Sequence, residues 1–322
     1  MDQRGYVISG LSFLLIIPAI YLVAVFADMN HTGSQSQALV IQSDVVSLTV
    51  RDIEGNLPFI AKRILQKTAN EVMINGNPIP NSRMNIKNNL QIEIDTLAGK
   101  YSSQEGINVT CRIISVDSSR DPFKVQINSS ISVSKGNVLH TENLSQDVSI
   151  IDHNYPIPDP LPFIKCKNFG GVTNTSSRII YGSSLANFHK NSARTNSDVY
   201  INATSPLVIK KCPYDPYINH GQSRNNINLK NCIDNGYYHE SSDGACFLCR
   251  LEGKGVCSHY GMETFIIPQV SGDNSSFEAP CSSDHVIFDG NYSGYTLTYY
   301  SNSNGYYNIF LEKGHRTKYG FT

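Results

Sequence analysis

The sequence predicts an α+β protein. An N-terminal transmembrane helix continues into amphipathic helices packed on a small antiparallel sheet, and a disulfide-braced, mainly-β domain follows. Three observations predict it. An uncharged apolar run extends from Tyr6 to Ala27. Apolar residues then recur at helical spacing as far as Tyr101 and at period two beyond it. Seven of the eight cysteines fall between Cys166 and Cys281.

The apolar run is long enough to cross roughly 30 Å of hydrocarbon as a helix. Arg4 precedes it, and the next cationic side chains are His31 and Arg51. That asymmetry places the N-terminus inside and the bulk of the chain outside. No later stretch reaches spanning length, so the expected product is a single-pass cell-membrane protein in contact with lipid through residues 6–27. Pro18 lies inside the run and bends rather than ends a helix in lipid. A cleavable secretory signal cut after Ala27 is the competing reading, but the run exceeds the 7–15 residues usual for such a signal.

Downstream of the anchor (residues 1–28), Leu39, Ile41, Val45 and Leu48 follow helical spacing, and Gly55 and Pro58 are expected to interrupt that helix. Ile60, Ile64, Leu65 and Val72 mark a second helix ending at Asn75-Gly76. Asn81 or Ser82 caps a third carrying Ile86, Leu90, Ile94 and Leu97, although Leu90 to Ile94 also reads as a strand. Strands follow at Ile107–Ile113, Phe123–Ile127, Ile131–Val133 and Val148–Ile150. Helices that precede a run of strands define an α+β stalk or head over residues 29–151. Prolines at 156, 158, 160 and 162 make residues 152–162 an extended, semi-rigid linker. Residues 163–322 are rich in cysteine, tyrosine, glycine and asparagine and read as loop-rich and mainly β. Alternation at Tyr295, Leu297 and Tyr299, turn residues from Asn302 to Gly305, and alternation at Tyr307, Ile309 and Leu311 predict a hairpin.

Arg4-Gly5 before an apolar segment with a mid-helix proline, then an amphipathic helix and a β-rich region, resembles type IV pilins and the tight-adherence pseudopilin-like proteins over about the first 70 residues. The resemblance implies cleavage after Gly5 and docking through a glutamate five residues beyond the cut. Gly10 stands at that place instead, a departure that fits a membrane-resident, minor member of the group. Later segments resemble uncharacterised surface proteins of methanogens, which implies an archaeal source and no known activity.

Basic and acidic residues number 26 and 27. This balance carries no nucleic-acid footprint. Cys111, Cys166, Cys212, Cys232, Cys246, Cys249, Cys257 and Cys281 are disulfide candidates in an oxidising compartment, where staples offset a modest core. Cys111 could cross-link to Cys166 or remain buried as a small apolar residue. Cys246-x-x-Cys249 with Cys257, His259 and Cys232 would read as a zinc ribbon in a cytosolic protein, and export argues for disulfides instead. Asp215, His220, His239 and Glu240 could hold a metal, but their spacing does not argue for one, and no cofactor is expected. Glycosylation sequons begin at Asn30, Asn108, Asn128, Asn143, Asn174, Asn202, Asn274 and Asn291. Tyr295, Tyr299 and Tyr307 form a candidate binding face for glycan or protein. No catalytic set stands out. The function these features imply is a pilin-like, adhesion or assembly component displaying two outer domains, with other pilin-like subunits or surface glycans as partners. The alternatives are an anchored enzyme and a glycan-binding receptor acting on envelope polysaccharide.

Overall fold

Helix α1 runs unbroken from Gln3 to Asn75 in the computed structural model. The structure describes the backbone of residues 3–192, 197–214, 220, 227–269, 282–289, 295–302 and 305–320, and their side chains except at 3–15, 104–105, 227, 295–302, 305–313 and 316. Gly55 and Pro58 do not interrupt α1 as the sequence suggested. The reason is packing: Val46, Val50, Ile53, Leu57, Ala61, Leu65, Ala69 and Val72 are buried at steps of three or four residues on either side of this pair. Burial of such a face outweighs local propensity. The earlier stretch differs, since Ile16, Ile17, Ile20, Leu22 and Phe26 are all exposed. It makes α1 long and apolar enough, near the N-terminus, to span a membrane. At its other end Gly76 adopts φ +60°, and its N–H donates to the Val72 carbonyl at 2.7 Å, a left-handed helix stop.

Helix α2 (Ser82–Glu105) settles the ambiguity at Leu90–Ile94 in favour of helix. Asn81 is its cap, its Oδ1 accepting the Met84 N–H at 3.0 Å. Strands β1 (Asn108–Ser118), β2 (Lys124–Lys135) and β3 (Val138–Ser149) form one sheet in the order β1-β2-β3. Val125, Ile127, Ile131 and Val133 bury one face of β2, so the two short strands expected there are one. The chain divides into two compact units. One gathers residues 1–55, 96–111 and 131–142, the other residues 56–95, 112–130 and 143–322.

The region after residue 151 is mixed rather than mainly β. Short helices such as Leu161–Cys166, Ser184–Asn191, Ile227–Asn235 and Phe247–Leu251 alternate with small two- and three-stranded sheets. Its core gathers Leu161, Phe163, Cys166, Ile179, Tyr181, Leu185, Leu207 and Ile266. The proline-rich segment is not one extended spacer: residues 153–155 bend, Pro160 adopts a right-handed helical conformation, Leu161 and Pro162 open a helix, and residues 157–163 are all buried. Asp159 N–H donates to the Leu207 carbonyl at 2.8 Å, and Ile209 N–H to that of Ile157 at 3.0 Å. The prolines sit where a paired neighbour supplies the donors that they lack. Near the C-terminus, Tyr295–Asn302 pairs antiparallel with Gly305–Glu312, the hairpin the alternation predicted.

Disulfide bracing is not shown: no two described cysteines stand at bonding distance. Cys111 is buried in β1, and Cys166 lies fully buried in the apolar core, where burial pushes its thiol up to about 12. Cys281, Asn274 and Asn291 lie outside the described residues, as do the side chains of Tyr295, Tyr299 and Tyr307. Asn30, Asn108, Asn143, Asn174 and Asn202 are exposed, whereas Asn128 is half-buried and donates to Ser115 Oγ at 3.0 Å.

Candidate metal centres

Five of the cysteines converge on histidines in two clusters. Cys212, His220, Cys232 and His239 form the first, and one donor atom from each lies within 4.8 Å of all the others. All four residues are buried. Cys212 sits where its N–H donates to the Tyr238 carbonyl at 2.9 Å, which ties it to the strand bearing His239. Cys232 projects from the buried face of the Ile227–Asn235 helix beside Leu229. The two Sγ atoms are 3.0 Å apart, well beyond the covalent distance of about 2.05 Å. His220 Nε2 lies 3.3 Å from Cys212 Sγ and 3.2 Å from Cys232 Sγ. Beyond a loose contact with the Cys212 thiol, neither ring nitrogen of the fully buried His239 meets a hydrogen-bond partner among the described residues. The hydrogen bond from Cys232 holds the Cys212 thiol well below its usual range against the opposing effect of burial, with His220 adding to it.

Cys246, Cys249, Cys257 and His259 form the second cluster, again with donors within 4.8 Å of one another. Cys246 caps the Phe247–Leu251 helix and Cys249 lies inside its first turn, so the two sulfurs share one face. Cys257 and His259 return on the following loop. Cys257 Sγ accepts the Cys246 N–H at 3.3 Å, and His259 Nδ1 lies 3.5 Å from Cys249 Sγ. Arg83 from α2 reaches this edge: its NH2 is 3.2 Å from His259 Nε2, and it also hydrogen-bonds Cys249. Burial lowers the Arg83 pKa, but the Cys246 and Cys249 sulfurs outweigh it and hold the guanidinium above its usual value.

A third group, Glu263, His285 and His315, is fully buried and also has donors in reach of one another. Glu263 Oε2 faces His285 Nε2 at 2.9 Å, His315 Nε2 at 3.2 Å, Lys318 Nζ at 2.8 Å and the Ser241 hydroxyl at 2.8 Å. Tyr319 donates to Oε1 at 2.9 Å. Burial raises the Glu263 pKa, yet His315, His285 and Lys318 together hold it well below the usual carboxylate range. Lys318 already neutralises the carboxylate, so a divalent cation here would leave about two uncompensated positive charges in a buried site, at heavy cost. Electrostatics makes this group an ion-pair hub and sets it apart from the thiolate clusters.

The sequence-predicted candidates are regrouped. Cys232, read beside the Cys-x-x-Cys motif, belongs to the other cluster. His220 and His239, set aside for their spacing, join Cys212 and Cys232. Asp215 lies outside the described residues, and Glu240 pairs with Lys211 at 2.7 Å. A buried ion cluster escaped sequence reading altogether. Arg250 Nε donates to Asp159 Oδ1 at 2.9 Å, its NH2 reaches both Asp159 and Asp284, and Tyr238 OH donates to Asp159 Oδ2 at 3.0 Å. It anchors the helix of the Cys-x-x-Cys motif to the proline-rich segment. Its one sequence signal was an arginine directly after Cys249.

Fold and clusters together define an α+β protein with, among the described residues, one membrane-length apolar helix and a unit rich in internal Cys/His groups. No protein-family model, curated protein or solved structure matches the chain.

Proposed function

We propose that this is a membrane-tethered surface protein, an assembly or adhesion component of pilin-like design that displays its folded part outside the cell and catalyses no reaction. The observation that carries the reading is helix α1. Its N-terminal stretch exposes apolar side chains from Ile16 to Phe26, while the same helix buries a regular apolar face from Val46 onward. An exposed apolar surface of that extent needs a non-aqueous partner. Lipid fits its length, and a second copy of the helix is the partner that the pilin resemblance suggests. The Cys/His clusters support display over catalysis: six of their eight donor residues are buried and Cys257 and His259 are half-buried, a setting that suits closed structural sites rather than open catalytic ones.

Membrane fractionation with protease treatment of intact cells tests this. The expected result is full-length protein that stays in alkali-washed membranes and is digested from outside to a fragment containing residues 6–27. Protein in the soluble fraction would overturn the tether, and protection in intact cells with digestion only after lysis would overturn outward display.

A further inference from the structure

We infer that Cys212, His220, Cys232 and His239, and separately Cys246, Cys249, Cys257 and His259, bind one zinc-class divalent cation each in closed, four-coordinate structural sites. The inference goes beyond the display reading and does not depend on which side of the membrane the protein occupies.

Ligand type comes first. Two thiolates with two imidazoles, and three thiolates with one imidazole, are the mixed sulfur and nitrogen sets that suit a tetrahedral, borderline-soft ion. Geometry follows. Donors about 2.0–2.3 Å from a central ion lie about 3.3–3.8 Å from one another. In the first cluster three of the four donors are separated by 3.0–3.3 Å, and all four lie within 4.8 Å. For these three a few tenths of an ångström of adjustment accommodates the ion, and the His239 donor lies within reach of the same centre. Disulfide formation would instead draw Cys212 and Cys232 together by about 1 Å and leave both buried histidines idle.

His239 is the independent observation. It is completely buried, and beyond a loose contact with the Cys212 sulfur its ring nitrogens meet no hydrogen-bond partner among the described residues, a burial that costs stability unless something compensates it. Coordination removes that cost for the nitrogen that faces the sulfurs. Charge balance completes the case. Two thiolates cancel a dication in the fully buried first site. Three leave one negative charge in the second, where Cys257 and His259 are half-buried and Arg83 supplies the matching positive charge. Zinc on His259 Nδ1 leaves the ring proton on Nε2, so Arg83 gives up that contact and keeps Cys249. Loading involves no oxidation: each thiol gives up its proton to solvent, and the metal keeps its charge.

Elemental analysis of the full-length protein, purified in detergent without chelator, tests the inference. Two zinc ions per chain are expected. His239→Ala and Cys249→Ser are each expected to lose one of them, leaving the other site loaded. Replacement of zinc by cobalt(II) reads the wild-type protein directly, so the test survives a variant that fails to fold: intense tetrahedral thiolate bands support the sites, and weak octahedral bands overturn them. Intact mass and thiol alkylation under denaturing conditions give the opposing outcome. Metal-free protein with Cys212 bonded to Cys232, or zinc content unaffected by both substitutions, would overturn the inference.

Discussion

Arg250 shows what a single side chain decides here. It is fully buried and serves two carboxylates, Asp159 and Asp284, while its guanidinium lies 5.7 Å from the centre of the Tyr238 ring. Removing it strands two buried negative charges. Arg250→Met is expected to destabilise the protein by about 3–5 kcal/mol in urea unfolding, and a loss under about 1 kcal/mol would show that water or protonation relieves the carboxylates. Glu263 makes a pH-dependent contribution. Because its folded pKa lies well below the usual value, its stabilisation is fully present above about pH 4.5 and lost as pH falls through the folded pKa. Glu263→Gln should therefore be less stable than wild type at pH 7, with the gap narrowing below about pH 4.5. Melting curves that stay parallel down to strong acid would contradict the assigned ion pairs. Gly244 is constrained by space: a Cβ there would lie 2.2 Å from the Met262 carbonyl oxygen, at the bridge between Ala245 and Met262 that precedes Cys246. Gly244→Ala should weaken the fold and reduce zinc content, both measurable on one preparation.

At the scale of elements, periodic signals were legible in the sequence, and punctuation signals were legible at Gly76 and Asn81 but not inside α1. The helical spacing of Val72, Ile86, Leu90 and Ile94, and the alternation that became β1 and β2, report faces that stay buried whatever the partner. Gly55 and Pro58 misled because their penalties, about 1 and 3 kcal/mol, are local and the burial on either side of them is collective. The Cys-x-x-Cys pair was legible since one helical turn sets its spacing. The first cluster was not, because Cys212, His220, Cys232 and His239 come from separate segments that only the folded chain brings together. A helix running through Gly55 carries its own prediction. Nothing lies within 4 Å of a Cβ built there. Gly55→Ala should stabilise the protein by about 0.5–1 kcal/mol, and a lower urea midpoint would mean that α1 is broken at this point.

For the whole molecule, the membrane segment and the folded part make different demands on one helix. Side chains from Ile16 to Phe26 are exposed and contribute to no described core, whereas Val46, Val50 and Ile53 are buried to within a few per cent. Removing residues 1–28 should therefore release the protein from membranes without lowering its melting temperature or its zinc content. Removing residues 1–55 takes away three buried aliphatic side chains, each worth about 1.5–3 kcal/mol when fully buried, and should lower the melting temperature well beyond the first truncation. Equal melting temperatures for the two truncations would place the folding boundary beyond Gly55 and make everything before it a tether. If the shorter truncation alone unfolds the protein, the apolar stretch belongs to a core rather than to lipid, and the display reading fails with it.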